Sequence, residues 1–385
     1  MRPYLLLLPL IVLLGVGVSS AQDVKPLATP EATPITTTYR GNLARTGVYE
    51  SPALRTQPTL RWSFVLPRPN RTSPAIASGI VYTGSEAGVL IALDVNDGTE
   101  IWRFDAGGSV VSTSSVVDGI LYFGSLNGNV YALNAASGEQ LWAYKTANEV
   151  YSSPAVAEGI VYIGSRDGML YALNAADGIL VWSFKSLGEI WGSPALVDGT
   201  VYATSFGGAI YALDAATGRE IWRKAAGSFF ASPVVADGLV YAGDGDGTLW
   251  ALNTKEGSVK WQVKLGSTVY ASVAVGGGSV YGTDLNGTLR SLDAQTGTEN
   301  SHFEMGGPAY SSPSLVIDDA GSVIYAVTEK GGLLHALDAE TGQELWNVQT
   351  GTQWDWRASS PVILDGKLFV GSNTEGILAY QSSDS

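Results

Sequence analysis

The sequence predicts an all-β fold, an eight-bladed β-propeller of four-stranded antiparallel blades. Three observations predict it. Trp62, Trp102, Trp142, Trp182, Trp222 and Trp261 recur every 39 or 40 residues, a period that accommodates four short strands and their turns. Within each period the apolar alternation breaks three times at a glycine, as at Glu158-Gly159, Asp167-Gly168 and Asp177-Gly178. Composition agrees: the 385 residues hold 47 Gly, and only 15% are charged against about 25% in ordinary globular chains. Tight turns are therefore many and solvated faces few.

Taken in chain order, the first segment is an export signal. Arg2 precedes an apolar run from Tyr4 to Val18, and Ser19 and Ala21 stand at the −3 and −1 positions of a small-x-small cleavage site. The signal peptide is expected to span 1–21, with the cut before Gln22, and no membrane segment is expected to remain afterwards. Residues 22–38, QDVKPLATPEATPITTT, are rich in Pro and Thr and read as a linker. A lead-in segment follows at 39–58, and the repeats fill 59–381.

One full repeat runs from Tyr151 to Phe184, and its three glycine turns leave four strands. Starts resembling Ser-Pro-Ala occur eight times, at Pro74, Ser114, Pro154, Pro194, Pro233, Val273, Pro313 and Pro361. The eighth copy stops after its third strand, near Ile377–Gln381, while an orphan outer strand lies around Trp62. Pairing the N-terminal strand with the C-terminal blade would complete that blade and remove an exposed edge. The lattice Trp residues are expected to pack between neighbouring blades, with Ser301 replacing one of them. His335 stands at the third-strand tyrosine position and is expected at a surface or an inter-blade contact.

Several functions are excluded by composition. With no Cys, the chain has no disulfide, thiolate metal site, iron–sulfur cluster or cysteine nucleophile, and cannot be a lipoprotein. Two His residues, His302 and His335, leave little for zinc or triad chemistry. The formal net charge of −14 opposes binding to a phosphate backbone, so no nucleic-acid partner is expected.

The segments VYALNAASGEQLW (130–142), LYALNAADGILVW (170–182) and IYALDAATGREIW (210–222) resemble the repeat of pyrroloquinoline quinone (PQQ)-type β-propellers. YRGNLARTG (39–47) resembles the lead-in found before such repeats. That family includes quinoprotein alcohol dehydrogenases and the propeller lipoprotein of the outer-membrane barrel-assembly machinery. The resemblance implies the fold; the matching residues build blades and carry no chemistry. Family enzymes hold PQQ and a calcium ion over the central funnel and carry long insertions. This chain has almost none, and no Asp matches the family's catalytic base. No cofactor is therefore expected, PQQ with calcium being the alternative. Gly-Asp-Gly-Asp-Gly (243–247) is expected to be a plain turn.

In a repeat protein the copies that depart from the pattern point to function. Three residues before each Ser-Pro proline stand Arg71, Val111, Tyr151, Trp191, Phe230, Tyr270, Tyr310 and Ala358. The aromatics among them, extended by Trp354, Trp356 and Arg357, should ring the funnel mouth where connectors enter the innermost strands. The second-to-third-strand turns should open on the same face and add an acidic rim, with Glu86, Asp167, Asp244, Asp246, Asp284, Glu329 and Glu375. Such a crescent suits a binding hot spot. The expected function is a periplasmic or secreted, non-enzymatic scaffold, presumed monomeric, that binds a protein, peptide or glycan in the cell envelope, with outer-membrane protein assembly as one setting. The alternative is a quinoprotein dehydrogenase or a cofactor sensor.

Overall fold

The computed structural model describes residues 37–329, 332–351 and 359–382, so the segment 1–36 and Trp354, Trp356 and Arg357 lie outside the described residues. Eight sheets of four antiparallel strands follow one another as the blades of a propeller, and Val48–Tyr49 of the lead-in adds a parallel fifth strand to the inner edge of blade 7. Blade 3 shows the unit, with Ala155–Ala157 innermost, then Ile160–Gly164, Met169–Asn174 and Leu180–Lys185 outermost. Its first hairpin turns through Glu158 (φ 50°) and Gly159 (φ 73°), the two positive values that a two-residue turn needs to match the strand twist. Blades 1 to 7 follow in chain order from Ala75–Ala77. Blade 8 takes Val362–Leu364, Lys367–Ser372 and Gly376–Gln381, and Thr59–Phe64 completes it. In that ladder Trp62 stands opposite Ala379. The two ends of the repeat region thus close the ring, as the sequence predicts.

The lattice tryptophans join each blade to the next. Trp102 donates its indole N–H to Ala135 O at 3.0 Å, and the second-strand Tyr82 donates its hydroxyl to the same carbonyl at 3.1 Å. Trp142 and Tyr122 repeat this at Ala175 O, and Trp261 and Tyr241 at Ala294 O. The indole also lies on a glycine of the next blade. A Cβ added to Gly138 would stand 2.6 Å from the Trp102 ring, and Gly138 has φ +73°. Glycine is required there for both reasons, backbone handedness and contact. Blade 8 draws its third strand from Gly376–Gln381 and its fourth from Thr59–Phe64, so no turn joins the two to receive blade 7. Leu54 of the lead-in substitutes: its carbonyl accepts from Trp346 at 2.8 Å and from Tyr325 at 3.3 Å. Between the blades lie apolar clusters, such as Tyr82, Leu90, Trp102, Phe123 and Leu133. No helix among the described residues is long and apolar enough to cross a membrane.

Candidate binding cup on the ring axis

Innermost strands of neighbouring blades splay apart, so the amide at each strand entrance lacks a backbone partner. A hydroxyl from the next blade supplies one. Ser73 N donates to Thr113 Oγ1, Thr113 N to Ser153 Oγ, Ser153 N to Ser193 Oγ, and Ser193 N to Ser232 Oγ. The series continues through Ser272, Ser312 and Ser360, and Ser360 N returns to Ser73 Oγ. The circle of eight bonds, 2.8 to 3.2 Å long, is closed. These are the residues just before the Ser-Pro-Ala landmarks of the sequence. The landmark was legible there; its hydroxyl's use was not, because the bond joins residues about 40 positions apart.

Three residues further along the innermost strands, the lead-in fills the bore. Val116 N bonds Thr37 O, Leu196 N bonds Leu43 O, Val235 N bonds Ala44 O, Val275 N bonds Thr46 O and Leu315 N bonds Gly47 O. Two arginines cross it. Arg45 is fully buried and Arg40 is 3% exposed. Arg45 donates from Nε to Pro194 O (2.9 Å), from Nη1 to Thr38 Oγ1 (2.6 Å) and Tyr39 O (2.7 Å), and from Nη2 to Pro154 O (2.9 Å) and Ser153 O (3.4 Å). Arg40 donates from Nε to Arg45 O at 3.0 Å, and from Nη2 to Val273 O and Pro313 O. Pro154 and Pro313 belong to blades 3 and 7, opposite each other in an eight-membered ring, so the pair spans the bore. Burial pushes the Arg45 guanidinium down to about 9, and the Arg40 charge adds to it.

Above the hydroxyl ring stand the predicted aromatics, and they form one contact chain. Tyr151 stacks on Trp191 with centroids 4.6 Å apart, and Trp191 meets Phe230 edge-on at 6.0 Å. Phe230 stacks on Tyr270 at 4.9 Å, and Tyr270 meets Tyr310 edge-on at 5.1 Å. Together with Arg71 they line a cavity of about 140 Å³. Its walls are the hydroxyls, and Tyr39 of the lead-in reaches its floor. The result is a cup that is aromatic at the mouth, polar at the wall and blocked by the lead-in.

The second-to-third-strand turns do open on this face, since Glu86 N, Arg166 N, Phe206 N and Glu329 N bond carbonyls of the connectors. Of the expected acidic rim, Glu86 and Glu329 stand beside the cup residues Arg71 and Tyr310, while the aspartates do not face the cavity. Asp167 accepts from Ala147 N, Met169 N and Tyr171 Oη. Asp244 is buried and accepts from Asp246 N, Thr248 N and Trp250 Nε1. Asp284, also buried, accepts from Asn286 N and Thr288 N and pairs with Arg290 at 3.1 Å. These carboxylates brace their own turns and do not line the cavity, and Asp246 is exposed. Turn geometry is the reason: a short acidic side chain at the first or third turn position finds its own turn's amides first. Asp244 lies in the 243–247 stretch, whose hairpin is the turn expected there.

The second turn position faces the axis instead. Glu86 pairs with Arg71 at 2.9 Å. Phe206 meets Phe230 at 5.2 Å. Burial, and Glu329 beside it, push the Tyr310 hydroxyl up. Arg166, missed in the sequence, is the centre of this layer. Its guanidinium lies 4.8 Å from the Trp191 ring centroid and 5.8 Å from that of Tyr151. It pairs with Glu149 and, at 2.9 Å, with Glu189, which also accepts from Trp191 Nε1 at 2.8 Å. The available signal was that only blade 3 carries Arg at this turn position. His335 is buried, bonds Glu344 at 2.7 Å and lies edge-on to Phe303 of blade 6, an inter-blade contact. No group of three or more His, Asp or Glu suited to a metal ion occurs among the described residues.

Comparison with known proteins agrees with this architecture. The chain is 31% identical over 72 residues to outer membrane protein assembly factor BamB of Escherichia coli strain K12, a match over 17% of this chain and 18% of that protein's length. The fold of BamB from Moraxella catarrhalis superposes with a TM-score of 0.73 at 19% identity, over 86% of this chain and 99% of that one. Quinohemoprotein alcohol dehydrogenase from Comamonas testosteroni superposes with a TM-score of 0.76 at 16% identity, over 89% of this chain and 79% of that one. The PQQ_2 family, described as outer membrane protein assembly factor BamB, matches residues 53–117, 100–190, 185–298 and 261–385. With all eight blades covered by these matches, the chain belongs to the BamB-like family of PQQ-type β-propellers.

Proposed function

We propose that the chain is a non-enzymatic scaffold for outer-membrane protein assembly, exported by residues 1–21 to the periplasm or beyond, and that it receives a partner polypeptide in the axial cup as a monomer. The observation that carries this reading is the unbroken contact chain of five aromatic rings at the cup mouth. Rings of this kind give large contact area at low entropic cost, and the hydroxyl wall offers donors and acceptors to a peptide backbone. The printed names of the family and of its E. coli relative support the assembly setting.

The same cup is where a quinone cofactor would sit, and its lining does not fit one. PQQ carries three carboxylates and is held with a divalent cation. The guanidinium groups at the cup, Arg71 and Arg166, are already paired, Arg71 with Glu86 and Arg166 with Glu149 and Glu189. Asp167, Asp244 and Asp284 are committed to their turns, so the cation has no carboxylate set there. No redox step is derived through the cofactor. In the native host, deleting the gene is expected to lower outer-membrane barrel-protein levels. Wild type should restore them, and a Trp191→Ala/Tyr270→Ala variant of unchanged melting point should not. Restoration by that variant would remove the cup from the function. Thermal stabilisation by added PQQ and calcium, with dye-linked alcohol oxidation, would replace the scaffold by an enzyme; stabilisation by an oligosaccharide would replace the polypeptide by a glycan.

A further inference from the structure

Where blade 8 meets blade 1 the ring closes at a seam, and a groove opens there on the face away from the cup. Strands within a blade alternate in direction, so the third-to-fourth-strand turns lie at the end opposite the connectors. The groove sits at that end, between the blade 1 turn and the third and fourth strands of blade 8. It is a cavity of about 350 Å³, lined by Arg61, Trp62, Lys367 and Gln381 of blade 8 and Asn96 of blade 1. Arg61 Nε donates to Gln381 Oε1 at 2.7 Å, and Lys367 Nζ donates to Asn96 Oδ1 at 3.1 Å. Neither cation has a carboxylate partner among the described residues. Both amide oxygens are spent on the cations, which leaves the amide NH2 groups of Gln381 and Asn96 as donors beside them. Asp94 and Asp97 of the same blade 1 turn accept from Asn96 N and from Thr99, and neither lines the cavity.

The corresponding grooves elsewhere carry a different charge. Between blades 5 and 6, Lys260 takes the place of Arg61 and Asn253 that of Gln381, but Asp237 and Glu256 balance Lys255 and Lys260. Between blades 1 and 2, Ile80 takes the place of Lys367, and the one charged lining residue is Asp118. Of these three grooves only the seam has an excess of positive charge, in a chain of formal net charge −14. A guanidinium fork, an ammonium group and two amide NH2 groups around one cavity suit a tetrahedral dianion, whose charge equals theirs and whose oxygens accept from several sides.

We propose that the seam groove binds a phosphate monoester, with Arg61 and Lys367 as counter-charges and Gln381 and Asn96 as further donors, independently of what the cup receives. Titration calorimetry of the full chain with glycerol 3-phosphate is expected to show one site. Arg61→Gln and Lys367→Gln should each weaken it about tenfold at an unchanged melting point. Lys255→Gln/Lys260→Gln, in the groove between blades 5 and 6, should leave it as it is. Flotation with phosphatidylcholine vesicles, with and without phosphatidic acid, tells the two sources of such a group apart. Flotation that requires both phosphatidic acid and Arg61 assigns the site to a lipid headgroup; calorimetric binding without flotation assigns it to a soluble ester. No binding in either assay overturns the proposal, as does an equal loss in the Lys255→Gln/Lys260→Gln variant.

Discussion

Gly138→Ala and Gly159→Ala place the same side chain on nearly the same backbone. Both glycines have φ +73°, so each alanine costs about 1–2 kcal/mol for the left-handed conformation. The surroundings differ. At Gly159 nothing lies within 4 Å of the added Cβ, whereas at Gly138 the Trp102 ring lies 2.6 Å away. Forcing the indole off its seat costs about 1–3 kcal/mol more, and it strains the bond from Trp102 Nε1 to Ala135 O. Gly138→Ala is therefore expected to lose about 2–5 kcal/mol and Gly159→Ala about 1–2. Urea unfolding at matched m-values measures both. In a Trp102→Ala background the two penalties should become equal, since the ring that separates them is gone. Equal losses in the wild-type background would refute the inter-blade contact as the reason for glycine at this turn position.

Ser193→Ala removes the acceptor of the Ser153 amide and should cost about 1–3 kcal/mol by thermal or urea unfolding. Ser193→Thr should be nearly neutral, because blade 2 carries Thr113 at the equivalent place. Arg45→Met leaves the carbonyls of Tyr39, Ser153 and Pro194 bare in the bore, while Pro154 O and Thr38 Oγ1 keep their bonds with Ser115 Oγ, and should cost at least about 3 kcal/mol; a loss under about 1 kcal/mol would contradict the bridging role. Asp318 accepts from Arg55 with both oxygens, at 2.8 and 2.7 Å, and this holds its carboxyl well below the usual carboxylate range. A depressed carboxyl contributes stability that is full above its unfolded value of 3.8 and lost as pH falls toward the folded one. Asp318→Asn should thus flatten the acid limb of stability against pH below about 4, and an unchanged limb would count against the pair.

What was legible in the sequence follows from the range of each interaction. Period, blade count and ring closure rest on local turn chemistry and on one Trp per copy, so they could be read off the chain. The aromatic series was legible because it occupies one repeat position, and Tyr151, Trp191, Phe230, Tyr270 and Tyr310 do share one cavity. In the acidic rim the glutamates Glu86 and Glu329 were placed correctly and the aspartates were not: Asp167 and Arg166 are neighbours, yet one folds onto its turn and the other stacks over Trp191. Which turn residue faces the axis depends on the connector packed against the turn, which no local pattern records. The hydroxyl circle and the arginines of the lead-in were hidden for a related reason. The partners in the hydroxyl circle are 39 to 287 residues away in the chain, and the blade carbonyls that the arginines reach are 108 to 273 residues away; both become neighbours only once the ring is closed.

The central claim is that partners enter by the connector face and reach the aromatic cup. A photo-crosslinking residue at Phe230, which lines the cup, compared with one at the exposed Val259 on an outer strand, tests this in intact cells of the native host. Adducts with outer-membrane assembly proteins from position 230 and none from 259 are the expected result. Adducts from 259 alone would place the binding surface on the blade edges and contradict the account.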